Sequence, residues 1–165
     1  MRKKQTPNDH ENRETSLDAM DCEMISLLQK DGRKPNIEIA KELGISETTV
    51  RNRMKKLLDG EYIQIVAVSD PFKLGFEFAG DLYIHVEMKK IDSVVDELKQ
   101  IKELWYIVIT TGQTNINAEF IVKNREDLND LIFNRISKID GVLRTEVSVI
   151  MKYEKRRYDY GTPLE

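Results

Sequence analysis

The first third of the chain carries apolar residues at helical spacing in three short segments. The first predicted helix begins near Leu17, with Ser16 or Asp18 as its N-cap. The second predicted helix covers about 37–43 and follows Asn36, a residue type that caps helices well. The pattern therefore predicts a small helical region at the start of the chain.

The third predicted helix, Ser46–Leu58, has one apolar and one polar face. Ser46 is its predicted N-cap, and Gly44 permits the turn that precedes it. A short helix, a glycine turn and an amphipathic helix together are typical of the helix-turn-helix motif. The stretch Asn36–Leu58 is therefore predicted to be such a motif, whose last helix enters the major groove of DNA.

The second half of the chain changes from helical spacing to alternation. Alternation of mostly apolar and mostly polar residues from Phe76 to Lys89 predicts a half-buried strand. A shorter alternation, Ile63–Val68, predicts another strand directly after the third helix. The remaining pattern predicts helices over 91–101 and 128–139 and strands over 105–111, 116–122 and 143–151. The order from residue 76 onward is βαββαβ, which is a ferredoxin-like layout.

These elements predict an α+β protein of two domains. A winged helix-turn-helix domain is expected over 17–67, behind a flexible arm at 1–16. Asp70-Pro71 interrupts the pattern, so the linker is placed at 68–75. The βαββαβ domain is expected over 76–152 and a charged tail over 153–165.

The distribution of charge supports DNA binding more than the total does. The formal net charge is −3, yet Arg33 to Leu58 holds seven bases and three acids, a local difference of +4. A local basic face is what contact with phosphates requires. The predicted DNA contacts are Arg33, Ser46, Thr48, Thr49, Arg51, Asn52, Arg53, Lys55 and Lys56.

Composition indicates the compartment and gives little sign of catalysis. Cys22 is the single cysteine, so no intrachain disulfide forms, which fits a reducing cytoplasm. The sequence has neither an apolar run of membrane-spanning length nor the apolar core of a signal peptide. No catalytic set, metal-ligand spacing or phosphate-binding glycine loop is present, so no cofactor is expected.

Several short motifs occur in a specific order, and together they resemble the Lrp/AsnC family of transcriptional regulators. The resemblance covers roughly Leu17 to Lys152. It rests on Leu17-Asp18-x-x-Asp21, Gly32-Arg33, Ala40-Lys41-x-Leu43-Gly44-Ile45-Ser46, Thr49-Val50-Arg51-x-Arg53-x-x-x-Leu57, Gly60-x-x-Ile63, Asp70-Pro71-x-x-Leu74-Gly75, Thr111-Gly112 and Gly141-Val142-x-x-Thr145.

The resemblance implies a winged helix-turn-helix joined to a regulation-of-amino-acid-metabolism (RAM) domain. It also implies homodimers that assemble further, to tetramers or octamers, and an amino-acid effector bound between dimers. The implied effector contacts are Thr111, Gly112, Gln113, Thr114, Asn115 and Thr145. Asn115 stands where the family usually has an aspartate, so the charge that attracts an ammonium group is missing. An amino acid, another small metabolite and no ligand all remain open.

Three functions fit this sequence to different degrees. The first is a sequence-specific DNA-binding transcriptional regulator. The second is a non-specific architectural protein that compacts DNA by wrapping it around a multimer. The third is an enzyme, because siroheme decarboxylases resemble the same family in architecture. Catalysis is disfavoured because those enzymes use histidines near the ligand site, whereas this chain has only His10 and His85.

Overall fold

The computed structural model describes residues 17–163. The predicted arm over 1–16 lies outside the described residues, as do the last two positions of the tail. The chain divides into two compact units. One contains the described residues up to Ala67 together with the segment that begins at Lys155, and the other is Val68–Glu154.

The first unit is built from three helices. They are α1 (Ala19–Lys30), α2 (Asn36–Leu43) and α3 (Glu47–Asp59). One small core joins them, formed by the buried residues Met24, Ile25, Leu28, Ile39, Ala40, Val50 and Leu57. These positions are the apolar stripes of the three helices, so the predicted helix-turn-helix fold is confirmed.

Helix boundaries follow the capping residues. Asp18 caps α1 in a capping box with Asp21, and Ser46 caps α3 by accepting a hydrogen bond from the Thr49 N–H at 3.1 Å. Gly44 adopts φ +67°, the left-handed conformation that the turn needs. The prediction of Asn36 as an N-cap is wrong, because α2 already begins there. Pro35 is its N-cap, with no side-chain hydrogen bond.

The predicted strand Ile63–Val68 is also wrong, since this segment has no regular secondary structure. Its apolar side chains are largely exposed, with Val66 at 69% and Val68 at 54%. A strand exists only through hydrogen bonds to a neighbour, and none of the described residues pairs with this segment. The alternation in the sequence is real, but the single chain forms no wing strand from it.

The segment that begins at Lys155 belongs with the helices of the first unit. Its Gly161 forms a reciprocal pair of backbone hydrogen bonds with the Gln29 side chain of α1. The amide nitrogen of Gln29 donates to the Gly161 carbonyl at 3.2 Å, and Gln29 Oε1 accepts from the Gly161 N–H at 2.9 Å. The sequence carries no periodic signal for this contact.

The second unit contains a four-stranded antiparallel sheet of order β2-β3-β1-β4. Its elements are β1 (Phe78–Val86), α4 (Ile91–Leu98), β2 (Leu104–Ile109), β3 (Ile116–Val122), α5 (Arg125–Asn129) and β4 (Val142–Val149). The predicted βαββαβ order is confirmed, and with it the α+β class.

The core of this unit forms between one face of the sheet and the helices. Leu82, Ile84 and Phe120 on the strands are fully buried, as are Leu131 and Ile136 after α5. The predicted helix over 128–139 is confirmed in position, but it is not a regular α-helix throughout. In the structure α5 continues as a π-helix over Asp130–Arg135 and then as a 3₁₀ turn. The Ile136 N–H donates to the Leu131 carbonyl, which is the i→i+5 hydrogen bond of a π-helix. Leu131 and Ile136, the two residues that it joins, are both buried.

We expect Gly80→Ala to destabilise the sheet. Gly80 pairs with Phe120 and Val149 in the centre of the ladder. An added Cβ would lie 2.1 Å from the Ser148 carbonyl oxygen and 2.8 Å from the Phe120 ring. Overpacking of this kind costs about 1–3 kcal/mol, measurable by urea unfolding.

The matched control is Gly32→Ala, where the nearest side-chain atom, on Ile65, would be 3.6 Å away. That change should alter the free energy of unfolding by no more than about 0.5 kcal/mol. Equal effects of the two substitutions would contradict the packing derived for the centre of the sheet.

Candidate DNA-binding surface and ligand-binding loop

The outer face of α3 is exposed and polar. It is opposite Val50 and Leu57, which are fully buried in the helical core. Four of the predicted DNA contacts share this face, namely Thr48, Arg51, Asn52 and Lys55. We call these four residues the outer face of α3. A helix of this kind presents polar side chains at a spacing that suits a major groove.

Both bases of the outer face have acidic neighbours on the same helix. Arg51 Nη2 lies 3.0 Å from Glu47 Oε1, and Lys55 forms an ion pair with Asp59. Each pair has i,i+4 spacing and both partners are largely exposed. Exposed pairs of this kind contribute about 0.2–1 kcal/mol, so phosphates or bases can compete for these cations.

Arg53 and Lys56 of α3 contact α1 and not the outer face. Arg53 Nη1 lies 2.6 Å from Asp21 Oδ1, and Lys56 Nζ lies 2.7 Å from Asp21 Oδ2. The same Arg53 nitrogen also contacts both carboxylate oxygens of Asp18, at 2.9 and 2.8 Å. Their assignment to DNA stays a prediction, and these ion pairs argue against it.

Asp21 is a buried charged residue whose contacts with α3 reasoning from the sequence missed. Its side chain is fully buried, with 0% exposed. Burial alone would raise the pKa of Asp21, but hydrogen bonds from Lys56, Arg53 and the Asp18 backbone outweigh burial and hold the pKa below its usual 3.8. The hydrogen bond from Arg53 likewise lowers the pKa of Asp18. The Asp-x-x-Asp spacing, which is that of a capping box, was the feature of the sequence that could have indicated a structural role for Asp21.

The remaining predicted DNA contacts lie at the ends of helices. Ser46 and Thr49 share a hydrogen bond of 2.8 Å between their hydroxyls, so both serve the start of α3. Arg33 is exposed in the turn after α1, where its backbone N–H donates to Asp31 Oδ1 at 2.9 Å. Its guanidinium is exposed to solvent, as a phosphate contact requires.

In the sheet domain, the predicted ligand-binding loop connects β2 to β3. Gly112 adopts φ +123°, which favours glycine at the tip, and Thr111 and Gln113 are exposed. Thr114 Oγ1 lies 2.9 Å from Asn117 Oδ1, and the Thr110 hydroxyl donates to the Thr114 carbonyl at 2.9 Å. These contacts hold the loop in one conformation.

Asn115 extends the ladder of β1. Its backbone N–H donates to the Ile84 carbonyl at 3.2 Å, and its Oδ1 accepts from the Val86 N–H at 3.0 Å. The side-chain oxygen of Asn115 is therefore engaged within the protein, and its amide nitrogen contacts Met88 Sδ at 3.3 Å. This geometry gives Asn115 a structural role besides any role in ligand binding.

Thr145 lies at the same end of the sheet as this loop. It pairs with Ile84 on one side of β1, while Ile116, the residue after Asn115, pairs with Ile84 on the other. Its Oγ1 is buried and has no hydrogen-bond partner. A buried hydroxyl without a partner is costly, so Thr145 is the strongest candidate for a polar contact with a ligand.

The fold and these two sites define a class of protein, a two-domain DNA-binding transcriptional regulator with a ligand-binding domain. Residues 17–58 match the model of the AsnC-type helix-turn-helix domain, and residues 82–160 match that of the Lrp/AsnC ligand binding domain. The chain belongs to the Lrp/AsnC family of transcriptional regulators.

Relatives extend over nearly the full chain. An HTH-type transcriptional regulator of Pyrococcus furiosus is 34% identical over 143 residues, covering 86% of this chain and 97% of the relative. The regulator LrpA of Pyrococcus horikoshii is 34% identical, covering 82% of this chain and 97% of its own. These relatives are regulators, so the prediction that the chain is a regulator and not an enzyme is confirmed.

Solved structures show the same fold. AsnC of E. coli superposes with a TM-score of 0.75 at 23% identity, covering 86% of this chain and 96% of AsnC. A transcriptional regulator of Neisseria meningitidis, solved as an L-Met complex, gives a TM-score of 0.78 at 18% identity, with coverages of 90% and 97%. Within residues 17–163, the helices are too short or too polar to cross a membrane.

We expect the helical domain to lose stability in acid through Asp21. Because the pKa of Asp21 is lowered in the folded state, its contribution is complete above pH 3.8 and is lost as the pH falls further. Asp21→Asn should reduce stability at neutral pH and flatten the acid limb of the profile. Urea unfolding at a series of pH values measures both effects, and parallel profiles for the two proteins would contradict this role.

Proposed function

We propose that this regulator recognises specific sequences of double-stranded DNA through the outer face of α3. The observation that carries the proposal is the position of four polar side chains on one exposed face, opposite a fully buried apolar face. A cytoplasmic location is part of this proposal, because chromosomal DNA is the proposed partner.

The side chains of this surface suit different parts of the duplex. Arg51 is the candidate for a bidentate contact with a guanine edge, and Asn52 for one with adenine. Thr48 is short and suits a base edge, whereas Lys55 suits a phosphate. At the ends of the helices, Arg33 and the hydroxyls of Ser46 and Thr49 are proposed to contact the backbone.

The charge of the surface favours recognition of sequence over wrapping of DNA. Glu47 and Asp59 pair with the two bases of the outer face, so its positive charge is lower than the count of bases indicates. A protein that only compacts DNA gains most of its affinity from unpaired positive charge. Exposed ion pairs with acids lower the affinity of these bases for DNA in general, and they can be exchanged for contacts at the preferred sequence. This arrangement favours sequence-specific binding.

We propose a homodimer as the unit that binds DNA. The segment Ile63–Val68 alternates like a strand, exposes Val66 and Val68, and has no strand partner among residues 17–163. The same segment of a second copy would supply that partner. Two copies would place two α3 helices about 34–36 Å apart on a roughly palindromic site. Assembly into tetramers or octamers follows the family pattern.

We propose further that the loop 111–115 and Thr145 bind a small amino-acid-like effector. The buried, unpartnered hydroxyl of Thr145 supports this site, as does the L-Met complex of the regulator from Neisseria meningitidis. Because Asn115 has no charge and its oxygen is engaged with Val86, attraction of an ammonium group is weak here. The effector is therefore expected to depend on hydrogen bonds to its polar groups.

We expect Arg51→Ala to lose sequence discrimination. Selection of bound DNA from a random pool first identifies the preferred site. Loss of one bidentate contact should then cost about 1–3 kcal/mol on that site and relax the preference at one base pair. Binding of random DNA should change much less.

The matched control is Arg144→Ala, which removes an exposed arginine of β4 in the sheet domain and should leave the preferred site unchanged. Equal affinity of the wild-type protein for selected and random DNA would instead favour the architectural function. An unchanged footprint for Arg51→Ala would contradict the orientation proposed for α3.

We expect Asn115→Asp to strengthen binding of α-amino acids by about tenfold, equivalent to about 1.4 kcal/mol. A carboxylate still accepts from the Val86 N–H and adds the missing charge. Calorimetric titration of both proteins with a panel of amino acids measures the difference. Flat titrations for both would exclude an amino-acid effector at this loop, and Thr145→Val should abolish any binding that is seen.

A further inference from the structure

Asp21 is the one polar or charged residue that is buried among those the structure describes. Two bases of α3 converge on its carboxylate, Arg53 at 2.6 Å and Lys56 at 2.7 Å. The Asp18 N–H adds a third contact at 3.3 Å, on the same oxygen as Lys56. A residue of α1 thus binds two cations of the helix that is proposed to contact DNA.

We propose that Asp21 is a positioning residue for DNA recognition, which withholds Arg53 and Lys56 from the phosphates and fixes the rotation of α3 on α1. The proposal rests on the proposed function, since it concerns the same helix. It assigns Asp21 a role that goes beyond capping α1. It also divides the bases of α3 into an outer pair for DNA and an inner pair for the fold.

The spacing of the bases along α3 separates the inner pair from the outer face. Arg53 and Lys56 are three residues apart, so they lie on one side of α3 and reach the same carboxylate. Arg51 is two residues before Arg53, about 200° around the helix, and therefore lies on the other side. The contacts of Arg53 and Lys56 with the buried Asp21 carboxylate restrict rotation of α3 about its own axis. This restriction keeps Arg51 on the outer face.

The inner pair also bears on the salt dependence of DNA binding. Affinity for DNA depends on salt because each base that neutralises a phosphate releases condensed counterions from the duplex. A base whose charge is already balanced by a buried carboxylate contributes little to this release. Asp18 and Asp21 together balance Arg53 and Lys56, so these two bases should add almost nothing to the salt dependence of binding.

Neighbouring lysines provide a matched test. Lys55 and Lys56 are adjacent in sequence, but Lys55 belongs to the outer face and Lys56 contacts Asp21. Binding of the full-length protein to the selected DNA is measured over a range of salt concentrations. Lys55→Gln should reduce the slope of log K against log[salt] by about 0.9, whereas Lys56→Gln should leave it unchanged.

Asp21→Asn tests the same idea by removing the acid that Lys56 contacts, while Arg53 keeps its contacts with Asp18. The slope should become steeper by about 0.9, and affinity for random DNA should rise because one more cation can reach a phosphate. The ratio of specific to non-specific affinity should fall by about tenfold, since α3 is no longer fixed in rotation. A merely structural role would lower the melting temperature and leave the salt slope, the affinity for random DNA and the ratio of affinities unchanged in the folded fraction.

These DNA-binding measurements distinguish failure of the proposed function from failure of the proposed role of Asp21. Failure of the wild-type protein to prefer selected over random DNA would overturn the proposed function. A normal preference combined with equal slopes for Lys55→Gln and Lys56→Gln would overturn only the role of Asp21. If Asp21→Asn does not fold, the lysine pair alone decides, because neither lysine is buried.

Discussion

A carboxylate buried without water is unfavourable unless several donors satisfy it, and Asp21 has donors from two helices. Arg53 and Lys56 come from α3, and the Asp18 N–H comes from the start of α1. Losing one of these donors leaves the buried carboxylate less fully hydrogen-bonded. The arrangement of α1 and α3 is therefore stabilised by these polar contacts as well as by the apolar core.

This constraint changes how the charge of the recognition helix is understood. Counted along the sequence, α3 has four bases and appears strongly attractive to phosphates. In the structure all four bases have acidic partners, but these acids differ in their exposure to solvent. The partners of Arg51 and Lys55 are exposed and exchangeable, whereas Arg53 and Lys56 share a buried acid. Exchange of an exposed acid costs less than removal of a cation from a buried one, which is why the proposal assigns Arg51 and Lys55, and not Arg53 and Lys56, to DNA.

Much of the fold could be predicted from the sequence because periodicity and capping are local. The capping residues Asp18 and Ser46 and the turn at Gly44 are confirmed for this reason. Predictions from the sequence failed where non-local contacts or an irregular helix determine the secondary structure. Ile63–Val68 alternates like a strand but has no strand partner in the part of the chain that the structure describes, and the π-helix over Asp130–Arg135 departs from the assumed helical period. The contact between α1 and α3 through Asp21 joins residues more than thirty positions apart, which periodicity does not detect.

The role of Asn115 in the ligand-binding loop likewise could not be predicted fully from the sequence. Compared with the family pattern, Asn115 is a loss of charge, and the sequence alone indicates only that ammonium binding is weakened. The structure adds that Asn115 completes the hydrogen bonding of β1 through both its backbone and its side chain. An aspartate could accept the same Val86 N–H, so the ladder does not require the amide. The hydrogen bonding of the sheet therefore does not explain the neutral side chain. A neutral amide attracts an ammonium group less than a carboxylate does, and among the described residues the Thr145 hydroxyl is a buried polar group without a hydrogen-bond partner at that end of the sheet.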